Sequence, residues 1–202
     1  MIRDRASTDE ILLKAFNQTP LSWGIVRHSL SVNMFLTLGR IFDIDSDAFS
    51  VDELLKCCIE EISIFSRAEM RHRLSAVSKA GKTESLNKFL DRIYEPSKTD
   101  FQRLRGEVSK HRQTFDSIYR PIRHKVLAHK EKCILGREDE LWSRTSIDQV
   151  KEIIWFLYDL EDSLFQCYHN GKKPELTGKE PDTEYYEKDF SSLLDLVKKN
   201  SI

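Results

Sequence analysis

Apolar residues recur along this chain at helical spacing, with no alternating stretch long enough to predict a strand. Ser7 or Thr8 can cap a first helix whose apolar face is Ile11, Leu12, Ala15 and Phe16, before Asn17–Pro20 interrupts it. A second helix, from about Leu21 to Phe42, carries Trp23, Val26, Leu30, Met34 or Asn33, Leu38 and Ile41 as a stripe along its whole length. Ser50-Val51-Asp52-Glu53 reads as a capping box opening a third helix through Leu54, Leu55, Cys58, Ile59, Ile62 and Phe65. Residues 67–79 continue it or form a short basic helix. Thr83–Ile93 and Thr99–Tyr119 predict two more helices, separated by Glu95-Pro96-Ser97. Pro121 suits the first turn of a further helix, on which Ile122, Val126 and Cys133 share a side. Gly136 marks a polar loop. Ser146 then caps the most apolar helix, Ile147–Tyr168, expected in the middle of the bundle.

These elements predict an all-α bundle. Its expected organisation is one helical domain over 1–170, a Pro/Gly/charged linker over 171–183, and a C-terminal amphipathic helix over 184–202. That last helix carries Tyr186, Phe190, Leu193, Leu194 and Val197 on one side, to dock in cis or on a partner.

Composition agrees with long helices and few turns, since 202 residues hold only 7 Gly and 5 Pro. A net charge of −1 makes no demand for nucleic acid or an anionic membrane. The distribution of charge is more informative. Residues 98–132 are dominated by Lys and Arg, and 138–162 by Asp and Glu. A polyanion site backed by an acidic segment gives this pattern, and so do two ordinary packed helices. The four cysteines form no CxxC, and with no paired His spacing a zinc site is not expected. They read as reduced, mostly buried thiols. No signal-peptide pattern and no apolar run of roughly 18 residues is present, so a cytoplasmic protein that does not cross a membrane is expected.

The candidate chemistry lies in Tyr119-Arg120-Pro121-Ile122-Arg123-His124-Lys125-Val126-Leu127-Ala128-His129-Lys130, where cationic and imidazole side chains border an apolar strip. Three pairs in the chain have Arg and a following His separated by four to six residues: Arg67–His72, Arg105–His111 and Arg123–His129. Arg67 is followed by Ala68 and Arg105 by Gly106, and neither pair brackets an apolar strip. In the third, polar His124 follows Arg123, and Val126-Leu127-Ala128 leads into His129.

Arg123-His124-Lys125-Val126-Leu127-Ala128-His129 resembles the motif of the HEPN superfamily: Arg, a polar residue, several more residues, then His. Tyr119–Ile122 and the segment Ser29–Asp43 look like its abortive-infection, AbiU-type, branch. Together the likeness spans roughly residues 20–165. It implies an antiparallel helical bundle of HEPN type with peripheral helices. It also implies a metal-independent endoribonuclease without cofactor, acting as a toxin or phage-defence effector on single-stranded RNA or tRNA. A cognate antitoxin or defence-system partner would accompany such an effector. Other members of the superfamily have lost catalysis and serve as dimerisation or interaction modules, so that alternative stays open, as does a toxin-neutralising partner.

The residue chemistry suits RNA cleavage. An imidazole with an unperturbed pKa of about 6.5 works as acid or base at neutral pH, which assigns that role to His129. Arg123 stays charged and grips phosphate in two places. His124 would orient His129 or the substrate. Arg120, Lys125 and Lys130 would hold flanking phosphates, and Tyr119 would stack a base. On a straight α-helix Arg123 and His129 stand roughly 120° apart and about 9 Å along the axis. That separation favours a homodimer in which two copies of the motif share a cleft.

Overall fold

The computed structural model describes residues 8–44, 49–77, 83–128 and 138–199, and the fold is all-α, with no strand among them. Two units divide the chain: residues 1–34 with 181–202, and residues 35–180. The helices are α1 (Glu10–Gln18), α2 (Pro20–Ile41), α3 (Val51–Glu60), α4 (Arg67–Val77), α5 (Thr83–Leu90), α6 (Lys98–Thr114), α7 (Glu138–Trp142), α8 (Ile147–Asn170) and α9 (Glu184–Lys199).

In the smaller unit Asp9, not Ser7 or Thr8, is the N-cap of α1, its carboxylate accepting from the Leu12 N–H at 3.1 Å. α9 lies against α1, burying Leu194 beside Leu12, and Lys198 Nζ pairs with Asp9. The Lys198 hydrogen bond holds the Asp9 carboxyl below its usual range. The stripe expected along all of α2 is not fully buried over its first half. Val26 and Leu30 are 43% and 59% exposed, and full burial begins only at Phe35, Leu38 and Gly39.

In the larger unit both α6 and α8, the helix with the largest apolar count, contribute to the core. Phe101, Leu104 and Val108 are buried on α6, and Phe115, Tyr119 and Ile122 continue the same buried side beyond it. α3 packs on α6, and Arg105 fixes that contact by donating from Nε and Nη2 to Asp52 at 3.1 and 2.8 Å. Helix α8 buries one side only, through Ile153, Asp159, Leu160, Ser163 and Cys167, and leaves Ile147 and Phe165 exposed. Arg73 ties α4 to α8, donating to the Tyr168 carbonyl at 3.1 Å while its guanidinium lies 4.2 Å from the Tyr168 ring centroid. Five-residue α7 falls where a polar loop was expected. It is too short for periodicity to reveal, and Trp142 packs it on Phe35.

The expected linker over 171–183 is strapped to the larger unit as far as residue 180. Gly171 ends α8 in the left-handed region (φ +59), where an added Cβ would lie 2.5 Å from Ile93 Cβ, and its carbonyl accepts from the Tyr94 N–H at 2.7 Å. Asp159, 4% exposed, accepts from the Thr177 N–H (2.8 Å), the Thr177 hydroxyl (2.9 Å) and the Gly178 N–H (2.8 Å). Three hydrogen bonds to one buried carboxylate make it a fastening of this strap. We expect Asp159→Ala to lower unfolding stability in urea by about 3 kcal/mol and to open residues 171–180 to limited proteolysis; wild-type stability and an intact strap would contradict this.

Candidate functional site

Pro121 shapes the site. It was expected to begin a helix, yet helical backbone runs without a break from Lys98 to Ala128. Proline inside a helix donates no hydrogen bond and its ring crowds the carbonyl four residues back. The chain accommodates it by widening. Phe115–Tyr119 is a π turn, with the Arg120 N–H bonded to the Phe115 carbonyl, and after a single α turn at Arg120–Ile122 a second π segment spans Arg123–Ala128. The straight α-helix assumed in placing Arg123 against His129 is thereby corrected, because 123–128 is wound as π-helix.

Tyr119 ends the first widened segment and is fully buried. Its ring stacks on Phe35 (centroids 5.5 Å apart) and Phe115 (6.2 Å), and its hydroxyl donates to the Ser146 carbonyl at 3.0 Å. Burial lifts the phenol pKa. The expectation that Tyr119 stacks a base is therefore wrong, for the ring has no open face.

Four residues on, Arg123 is half-buried, lying against α2 at Gly39, where an added Cβ would stand 2.5 Å from Arg123 Nη1 and 2.7 Å from Cζ. Its Nε is buried without a hydrogen-bond partner, and no ion pair engages the guanidinium among the described residues. Arg120 is less available than expected. Its Nε meets Asp116 Oδ1 at 3.0 Å in an ion pair too poorly aligned to count as a hydrogen bond, and both side chains are two-thirds buried. His124 is exposed and Lys125 half-buried. His129 and Lys130 lie outside the described residues.

The other two Arg–His pairs have structural duties. Arg67 pairs with Glu95 at 3.6 Å, and His72 is exposed. Arg105 is taken by Asp52, and His111 stacks on Phe156 at 3.9 Å, where burial lowers its pKa. Of the three arginines only Arg123 is left without an anionic partner among the described residues.

The HEPN family model described as AbiU2 matches residues 9–188. The chain belongs to the AbiU2 family of HEPN proteins. No curated protein and no solved structure matches it. Membership brings an association with ribonuclease chemistry and with abortive infection, and the matched span contains all of 119–130.

Elsewhere in this AbiU2 protein, an apolar groove of about 640 Å3 runs between α3 and α8, lined by Phe49, Leu54, Cys57, Leu164 and Phe165 among others. None of the described motif residues lines it. Cys58 and Cys167 are buried, which pushes their thiols up to about 11 and about 12, so neither is a reactive thiolate. Among the described residues no three His, Cys, Asp or Glu side chains gather as metal ligands, and no helix is long and apolar enough to cross a membrane. The residue that sequence reasoning missed is Gly39. Its signal, a glycine inside a helical stripe, was present but had no partner in sequence to give it meaning. Tyr119→Phe should cost about 1 kcal/mol of stability and Tyr119→Ala about 3–5, with RNA affinity unchanged in the phenylalanine variant. Weaker RNA binding by Tyr119→Phe would restore the ring to the substrate.

Proposed function

We propose that this AbiU2-family protein is a metal-independent endoribonuclease cleaving single-stranded RNA or tRNA, working as a toxin or phage-defence effector. The observation that carries it is the Arg123 guanidinium, half-buried at the family motif without a hydrogen bond or ion pair among the described residues. A fixed, unneutralised cation is what a phosphodiester requires of its binding site.

In the reaction His129 takes the proton from the 2′-OH, and the 2′-oxygen attacks phosphorus. The P–O5′ bond breaks, the leaving oxygen receives a proton from an acid, and a 2′,3′-cyclic phosphate remains. Arg123 neutralises the charge that builds on the non-bridging oxygens. His124 orients the imidazole or the substrate, and Lys125 and Lys130 hold flanking phosphates. A homodimer with two motifs in one cleft supplies a second imidazole as the acid. An antitoxin or defence-system partner would restrain the activity in the cell.

One observation favours the alternative, a catalytically silent HEPN dimerisation module. Arg120 is held by Asp116 and Tyr119 is buried, which leaves fewer groups for RNA than the motif promises. Cleavage of a tRNA pool in EDTA separates the readings. The wild type should cut, and Arg123→Ala and His129→Ala should each lose on the order of 10²–10⁴ in rate. Equal cleavage by all three proteins, or by none, would remove the enzyme.

A further inference from the structure

Helix α2 offers the motif two seats one turn apart. Phe35 receives the Tyr119 ring at 5.5 Å, and Gly39, four residues later, receives the Arg123 side chain. Tyr119 and Arg123 are themselves four apart, so the two helical runs meet in register, a large side chain beside a missing one. Glycine inside a helix is unfavourable compared with alanine. Gly39 is not there for backbone freedom either, since positive φ among the described residues is confined to Gly171 and Gly178. What it supplies is absence. The three atoms that an added Cβ would meet most closely all belong to Arg123: Nη1 at 2.5 Å, Cζ at 2.7 Å and Cδ at 2.8 Å.

We infer that Gly39 is a positioning residue for the reaction: the space left by its missing side chain holds the Arg123 guanidinium against α2 in the orientation that meets the scissile phosphate. No hydrogen bond tethers Arg123 Nε, so this steric seat is what sets where the fork points. A methyl group at 39 collides with a flexible side chain, not with backbone, and the side chain is what moves. This inference rests on the endoribonuclease reading for its consequence in catalysis, and not for the seating itself.

A double-mutant cycle tests it. Gly39→Ala should lower kcat/KM on RNA by on the order of 10²-fold, the cost of misplacing a positioned group by about 1 Å. Added to Arg123→Ala, it should cost nothing more. If Gly39→Ala lowers the Tm, Arg123→Ala in the same chain should restore it by removing the colliding side chain. Full activity in Gly39→Ala beside an inactive Arg123→Ala, or an equal further loss in the Arg123→Ala background, would overturn the inference and leave the nuclease standing. Should no variant or wild type cleave RNA, the nuclease falls and the seat is still measurable. The Arg123 Nε–H resonance of the wild type should exchange slowly with water, and in Gly39→Ala it should shift and exchange faster; an unmoved resonance overturns the seat.

Discussion

Everything at the motif depends on how Tyr119 is held. Its ring lies between Phe35 and Phe115, its hydroxyl is committed to the Ser146 carbonyl, and no part of it reaches solvent. Aromatic stacking of this kind adds about 0.5–1.5 kcal/mol per pair beyond the burial itself. Losing the hydroxyl's partner would strand a buried polar group. Three elements thus converge on one side chain: α2 through Phe35, the helical run from α6 through Phe115, and the start of α8 through Ser146. Once that point is fixed, the residue four positions later has its direction set.

Between Tyr119 and Arg123 stands Pro121, which forces the backbone out of α geometry. Widened turns are rare, and they recur where function has a use for an irregular helix. Here one lies on each side of a single α turn. The consequence is a guanidinium laid against bare backbone at Gly39 with no carboxylate to neutralise it among the described residues. The two competing Arg–His pairs show the contrast, since Glu95 and Asp52 hold their arginines as braces within the fold.

Much of this was legible from residues alone. The all-α class and most helix positions followed from periodicity and from Ser50 and Ser146, whose hydroxyls do accept from Glu53 and Gln149 as capping requires. Preference for Arg123 over Arg67 and Arg105 came from its apolar context; in the structure Arg67 and Arg105 each face a carboxylate, Glu95 and Asp52. Other features were out of reach. Pro121 reads as a helix start because local sequence does not say that α6 will run through it. Tyr119 reads as a stacking residue beside a cationic motif until tertiary contacts bury it. The residues after Gly171 look like a linker because what fastens them is hydrogen bonding, to the buried Asp159 carboxylate and from Arg103 to the Pro174 carbonyl, and not an apolar pattern. Helix α8 has apolar residues on more sides than it buries, and composition cannot tell which side faces inward.

The most direct test of the central claim is a crystal structure of the protein with a short RNA made uncleavable by a 2′-O-methyl group at the scissile position. The account predicts both Arg123 Nη atoms within about 2.7–3.2 Å of oxygens on that phosphate, with the side chain still resting on Gly39 and Tyr119 still buried. A scissile phosphate bound elsewhere, with Arg123 turned to a carboxylate of its own chain, would contradict it.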